Sequence, residues 1–180
     1  MLASCVTDTC RELRIALPST AGDVYRQHQL VWKAMRATGD RVRDFIYVML
    51  SPHIALVRSR QLSRGSVSDA IEGSLRIRIV SARQAGHGGL ESLDVEGTLK
   101  LAERLFSAHG FVIDDLHVED QTRLHGIKVD RSGCRLNIVL PVSDLMFQGR
   151  CSNRAGAALA WANGMGRGKR FGCGMLRKAL

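Results

Sequence analysis

Twelve residues near the C-terminus, Asn163-Gly164-Met165-Gly166-Arg167-Gly168-Lys169-Arg170-Phe171-Gly172-Cys173-Gly174, hold five glycines and three cations. Glycine lacks a Cβ, so its amide approaches an anion closely and its backbone takes positive φ without strain. Interleaving such amides with Arg167, Lys169 and Arg170 suits the chemistry of holding a long polyphosphate backbone; the alternative is a glycine-rich turn beside an exposed basic tail. Two nucleotide-binding patterns are excluded. A dinucleotide fingerprint needs a third glycine where Lys169 stands, and a Walker-type loop needs Ser or Thr after Gly168-Lys169, where Arg170 sits. The order is also reversed, since nucleotide-binding turns run from strand into helix and this stretch runs from predicted helix into predicted strand.

The second chemistry-bearing group lies on a predicted helix over 23–36 (DVYRQHQLVWKAMR). Val24, His28, Val31, Trp32 and Met35 recur at three- and four-residue steps, and Asp23 after Gly22 is the expected N-cap. Tyr25 precedes His28 by three residues, which puts the two on neighbouring positions of one helix face. Imidazole exchanges protons near neutrality, with an ordinary pKa of about 6.5. A histidine beside Val24, Val31 and Trp32 also fits a satisfied half-core position, and the residues alone leave both roles open. His53, His87, His109, His117 and His125 are scattered without metal-ligand spacing and are expected to be surface or structural. Cys5, Cys10, Cys134, Cys151 and Cys173 make an odd count with no C-x-x-C pair, as free thiols in a reducing cytoplasm would. No metal and no cofactor is expected.

The chain that must position these groups has 180 residues, 45% of them hydrophobic, enough to bury a core without disulfides. Its formal net charge of +9, from 26 Lys and Arg against 17 Asp and Glu, points to a polyanionic partner. The charge is unevenly placed: no acid follows Asp144, and all seven charged side chains from Arg150 onward are cationic. No apolar run approaches the ~20 residues of a membrane span, and the opening MLASCVTDTC lacks both the basic and the apolar region of a secretion signal. A soluble, cytoplasmic protein without a membrane partner is expected.

Periodicity predicts strands over 11–17, 45–50 and 54–59, the last two joined as a hairpin through Ser51-Pro52-His53. A short helix is expected over 65–72, then a strand over 74–81 (SLRIRIVS) whose Leu75, Ile77 and Ile79 share one face. Arg76 and Arg78 fall on the other, either as a basic face for RNA or merely as its solvated side. Residues 85–89 (AGHGG) read as a linker. Beyond it, 93–109 and 153–163 are predicted helices, and 111–118, 123–129, 134–142 and 171–176 predicted strands. Trp161, among alanines, is expected in the core. The order over 1–84 is the ferredoxin-like (RRM-like) plan, and a second α+β unit of similar size follows over 90–180.

Residues Gly164 to Gly174 resemble the glycine-rich loop G-h-G-x-x-K-x-h-G-x-G, h being apolar, of CRISPR-associated repeat-processing endoribonucleases, and match at all seven constrained letters. The chain is similar to the CasE branch, from type I-E systems, in DVYRQHQLVW (23–32), RDFIYV (43–48), LRIRIVSA (75–82) and Phe147-Gln148-Gly149. The resemblance implies a catalytic His28 with Tyr25 as partner, and RNA contacts from Gly164, Gly166, Arg167, Gly168, Lys169, Arg170, Gly172 and Gly174, to which Arg76 and Arg78 are added as candidates. It also implies an α+β fold of two tandem ferredoxin-like (RRM-like) βαββαβ domains, in agreement with that division, metal-independent cutting of precursor CRISPR RNA within its repeats, retention of the product, and partnership with other subunits of a surveillance complex. Two departures stand out. The stretch 81–89 is short, with only Arg83 and His87, where the branch usually has a longer basic hairpin, and 114–144 matches poorly, so no functional residue is assigned there.

Cutting RNA without metal needs a base for the 2′-OH proton, an acid for the leaving 5′ oxygen and cations on the pentacoordinate phosphate. The expected activity is transesterification to a 5′-hydroxyl and a 2′,3′-cyclic phosphate. A non-catalytic RNA-binding subunit of an effector complex is the alternative, and a ribosomal or tRNA-associated basic protein a third reading.

Overall fold

The computed structural model describes residues 9–18, 22–38, 44–68, 73–86 and 89–179. Its first unit comprises β1 (Cys10–Ala16), α1 (Val24–Ala37), β2 (Ile46–Ser51), β3 (Ile54–Ser59) and β4 (Ser66–Ser68). The second comprises β5 (Gly73–Val80), a small hairpin β6 (Ala82–Gln84) and β7 (Leu90–Ser92), α2 (Val95–Ala108), β8 (Phe111–Val129), β9 (Arg135–Cys151), α3 (Arg154–Asn163) and β10 (Arg177–Lys178). The two main sheets are four-stranded and antiparallel, ordered β2-β3-β1-β4 and β10-β5-β9-β8. Strands counted within each unit, both run 4-1-3-2, the ferredoxin-like plan, so the chain is a tandem pair of such units as expected.

The division between them lies elsewhere than at 85–89. β5, expected to complete the first sheet, pairs with β9 along its whole length, Leu75 opposite Phe147 and Ile77 opposite Leu145. The fourth strand of the first unit is instead β4, inside the stretch expected to be helical, paired with β1 through Cys10–Ser68 and Glu12–Ser66. The second unit thus begins at Gly73, and 69–72 lie outside the described residues. Residues 85–89 merely join β6 to β7, where the Ala85 amide donates to the Gly89 carbonyl. Strict alternation identified β5 as a half-buried strand, but alternation reports which face is buried and not which sheet buries it. The first unit has no helix between β3 and β4 among the described residues.

Three strands expected over 111–142 are two long ones. β8 and β9 form a hairpin of 19 and 17 residues, far beyond the usual five or six, with irregularities between Ile113 and Asp115 and between Val118 and Asp120. The predicted strand at 171–176 is a 3₁₀ turn (Lys169–Phe171) followed by irregular chain, and β10 comes one residue later.

Each unit has its own core. Val31 and Met35 of α1 are fully buried on Tyr47, Ala55 and Val57, while Phe106, Phe111 and Phe147 pack with Leu75, Ile77 and Trp161 in the second unit. A buried polar network ties the units together. The Arg58 guanidinium, wholly inside, bonds Glu12 through Nε and Nη2, donates from Nη1 to the Trp161 carbonyl at 2.8 Å, and lies 3.7 Å over the Trp161 ring. Trp161 Nε1 donates to the Ser68 carbonyl, and the Ser68 hydroxyl to Glu12. Removing one member of such a pair leaves the other charge uncompensated, so Arg58→Ala will lower unfolding free energy by about 3–5 kcal/mol. Denaturant titration checks this, and a loss below ~1 kcal/mol would show that the network does not hold the units.

Candidate active site

Asp23 starts α1 as expected, its carboxylate accepting from the amides of Tyr25 (2.8 Å) and Arg26 (3.0 Å). The same side chain accepts from Ile127 N of β8, and Asp23 forms an isolated bridge with His125. Gly126 fits there because a Cβ would lie 2.9 Å from the Tyr25 amide. The long hairpin, to which no function was assigned, thus braces the helix start that carries Tyr25 and His28.

His28 is half-buried at the edge of the first core, its ring 6.2 Å from Phe171 of the glycine-rich loop, 6.2 Å from Trp32 and 6.5 Å from Tyr25. It lines a cleft of about 610 Å³ with Trp32, Asp44, Phe45, Ile46, Tyr47, Arg60 and Gln61 of the first unit and Ala162, Asn163, Lys169 and Arg170 of the second. The imidazole and the loop cations, about 140 residues apart in the chain, therefore face one space. Burial holds the His28 pKa below its ordinary 6.5; the Arg170 guanidinium lowers it further and the Arg170 carbonyl opposes both. His28 Nδ1 is buried with no hydrogen-bond partner. Such an atom costs ~1–3 kcal/mol until something pairs with it. Tyr25 does not line the cleft; it shares a neighbouring groove with His28.

The loop reaches the cleft because its glycines permit a path no other residue could follow. Gly164, Gly166, Gly168, Gly172 and Gly174 all have positive φ. At Gly174 a Cβ would fall inside the contact distance of the Met165 carbonyl oxygen, and at Gly168 it would lie 2.6 Å from Val80 Cγ2. Three of the five amides are used within the protein and so are not offered to an anion: Gly164 N donates to Ala160 O, Gly172 N to Lys169 O and Gly174 N to Arg78 O. The glycines shape the loop, and the exposed Lys169, Arg170 and Arg167 carry the charge, Arg167 also donating to the Ala82 carbonyl.

Arg76 and Arg78 are not brought to the cleft. Arg76 pairs with Glu119 at 2.7 Å and Arg78 holds Asp144 bidentately at 2.8 and 2.6 Å, so the basic face expected of them is neutralised. Of the remaining histidines, His53 and His125 are exposed, His109 Nδ1 sits 2.7 Å from Leu105 O and His117 lies 3.7 Å from Asp115, while His87 is outside the described residues. Cys134 and Cys173 are free thiols, that of Cys173 pushed up to about 12 by burial; Cys10 is buried, Cys151 half-buried, and Cys5 lies outside the described residues. No helix among the described residues is long and apolar enough to cross a membrane.

Tyr47 was missed. Its hydroxyl, almost wholly buried, donates to the Arg170 carbonyl at 2.7 Å, and burial raises its pKa. In the sequence it is one apolar letter of FIYVML, with nothing to mark a contact 123 residues away.

Tandem ferredoxin-like units are a fold shared with CRISPR endoribonucleases. In particular, Cse3 bound to a 19-nucleotide RNA has 16% identity, covering 96% of this chain and 98% of that one, with a TM-score of 0.66. The Cas6e protein of Escherichia coli K-12 has 15% identity over 94% of this chain and 97% of its own, at 0.57. A chain of a CRISPR RNA-guided surveillance complex has 17% identity over 94% and 98%, at 0.66. No protein-family model and no curated protein sequence matches the chain.

Proposed function

We propose that the protein is an endoribonuclease that cuts precursor CRISPR RNA within its repeats, without metal, and keeps the product as a subunit of a surveillance complex. One observation carries the reading: His28 and the loop cations Lys169 and Arg170 line one cleft of a fold shared with Cse3. A lowered pKa keeps the imidazole neutral at neutral pH, the form that accepts a proton. His28 takes the proton of the 2′-hydroxyl as its oxygen attacks phosphorus; the bond from phosphorus to the 5′ oxygen breaks and the leaving oxygen takes a proton from solvent, while Tyr25, in the adjoining groove, flanks the imidazole. Lys169 and Arg170 offset the charge gathering on the phosphate. The products are a 2′,3′-cyclic phosphate and a 5′-hydroxyl.

The test is incubation with transcripts of the CRISPR repeat encoded in the same genome, followed by end analysis. Cutting that yields those ends, survives EDTA and stops when the nucleotide at the cut carries 2′-deoxyribose supports the reading. The rate will fall as pH drops through a value below 6.5, where the imidazole becomes protonated. The same depressed pKa contributes stability above 6.5 that is lost as pH falls through the folded-state value. Tight, salt-sensitive binding with the RNA left intact would favour a non-catalytic RNA-binding subunit instead.

A further inference from the structure

The cations that the strand pattern singled out are paired with acids; those on α1 are not. Between Val24 and Ala37 the helix contains no Asp or Glu, yet it carries Arg26, Lys33 and Arg36. Lys33 and Arg36 are exposed and make no ion pair among the described residues, in contrast to Arg76 and Arg78. Together with Tyr25, His28, Gln29 and Trp32 they line a shallow groove of about 450 Å³. His28 and Trp32 line this groove and the cleft alike, so they form the ridge between the two spaces.

Trp32 is built to present a face there. It is half-buried, braced from one side by Phe45 at 4.8 Å, with the Arg36 guanidinium 6.0 Å from its ring and the edge-on His28 ring 6.2 Å away. An aromatic platform flanked by cations is the surface that binds unpaired nucleic acid, because every base has a stacking face and every nucleotide a phosphate. A duplex offers no free base faces to such a platform. From His28 to Arg36 the helix advances about 12 Å, so a strand leaving the cleft past the imidazole meets first the indole and then the two cations.

We propose that the exposed face of α1 is a second part of the RNA interface, a track for the unpaired RNA next to the cut, on which Trp32 stacks a base and Lys33 and Arg36 take phosphates. The proposal rests on the RNA reading above but not on turnover. It is tested by binding of a fluorescent single-stranded U12 probe, which requires no cleavage and so separates its failure from that of the nuclease assignment. The double variant Lys33→Glu/Arg36→Glu will bind U12 more than tenfold more weakly, and the slope of log affinity on log salt will shrink by about 1.4, two phosphates at ~0.7 each. Lys100→Glu/Arg104→Glu on α2, with the same change in net charge, will lose far less. Trp32→Ala will weaken binding about five- to 150-fold, the range of one stacked base, with Trp32→Phe restoring most of it. Unchanged affinity and slope for the α1 double variant, or a loss no greater than that of the α2 variant, overturns the track. Unchanged affinity for Trp32→Ala overturns the platform.

Discussion

A His28→Ala protein will cut repeat RNA ~10²–10⁴-fold more slowly than wild type while binding it within a few-fold as tightly. That range is the usual worth of a positioned acid or base, roughly 3–5 kcal/mol of barrier. The asymmetry between rate and affinity follows from where the ring sits. His28 is one wall of a cleft whose lining also carries the cations Arg60, Lys169 and Arg170 beside Asp44, so removing it leaves the loop cations in place. The substitution is also structurally mild, because the ring is only half-buried and its Nδ1 has no partner to orphan. Single-turnover cleavage beside equilibrium binding reads the two quantities separately. Retained cutting would remove His28 from the chemistry.

Gly174→Ala is expected to collapse the loop, whereas Gly166→Ala is expected to be borne. Both positions have positive φ, which costs an L residue about 1–2 kcal/mol. At Gly166 that is nearly the whole cost, since the added methyl meets only Leu105 side-chain carbon at 3.5 Å. At Gly174 the methyl collides with backbone, the Met165 carbonyl, next to the hydrogen bond from Met165 N to Gly174 O. Met165 is itself buried in the second core, so the strain has nowhere to go but into the core or out through the loop. Gly174→Ala should therefore lose more than ~3 kcal/mol, at the severe end for single substitutions, with cutting lost in step. Thermal unfolding and cleavage assays on the pair check it, and equal stability of the two variants would defeat the argument.

The local signals were legible wherever the physics is local. The cap at Asp23, the face of α1, the β2–β3 hairpin and the glycine pattern each rest on residues within a turn of one another. Ser66–Ser68 was not legible as a strand, since three residues carry no period and only their pairing with Cys10 to Glu12 makes them one. The extent of β8 and β9 was hidden because two irregularities break the alternation on which a long strand would be recognised. Arg58 looked like an ordinary strand residue; nothing near it announces the Glu12 and Trp161 partners, 46 and 103 residues away, that allow its charge to be buried.

What the amino-acid order determined by itself was the inventory: a ferredoxin-like element succession, a helix bearing Tyr25 and His28, and a loop able to hold five left-handed residues while presenting three cations. What only the tertiary structure decided was assembly. It handed β5 to the second sheet, silenced Arg76 and Arg78 with Glu119 and Asp144, turned most loop amides inward, and set Tyr47 under Arg170 so that the imidazole and Lys169 share a cleft. The reason is that periodicity records how much of a face is buried, whereas the choice of partner depends on complementary shape and charge brought together across more than a hundred residues of chain.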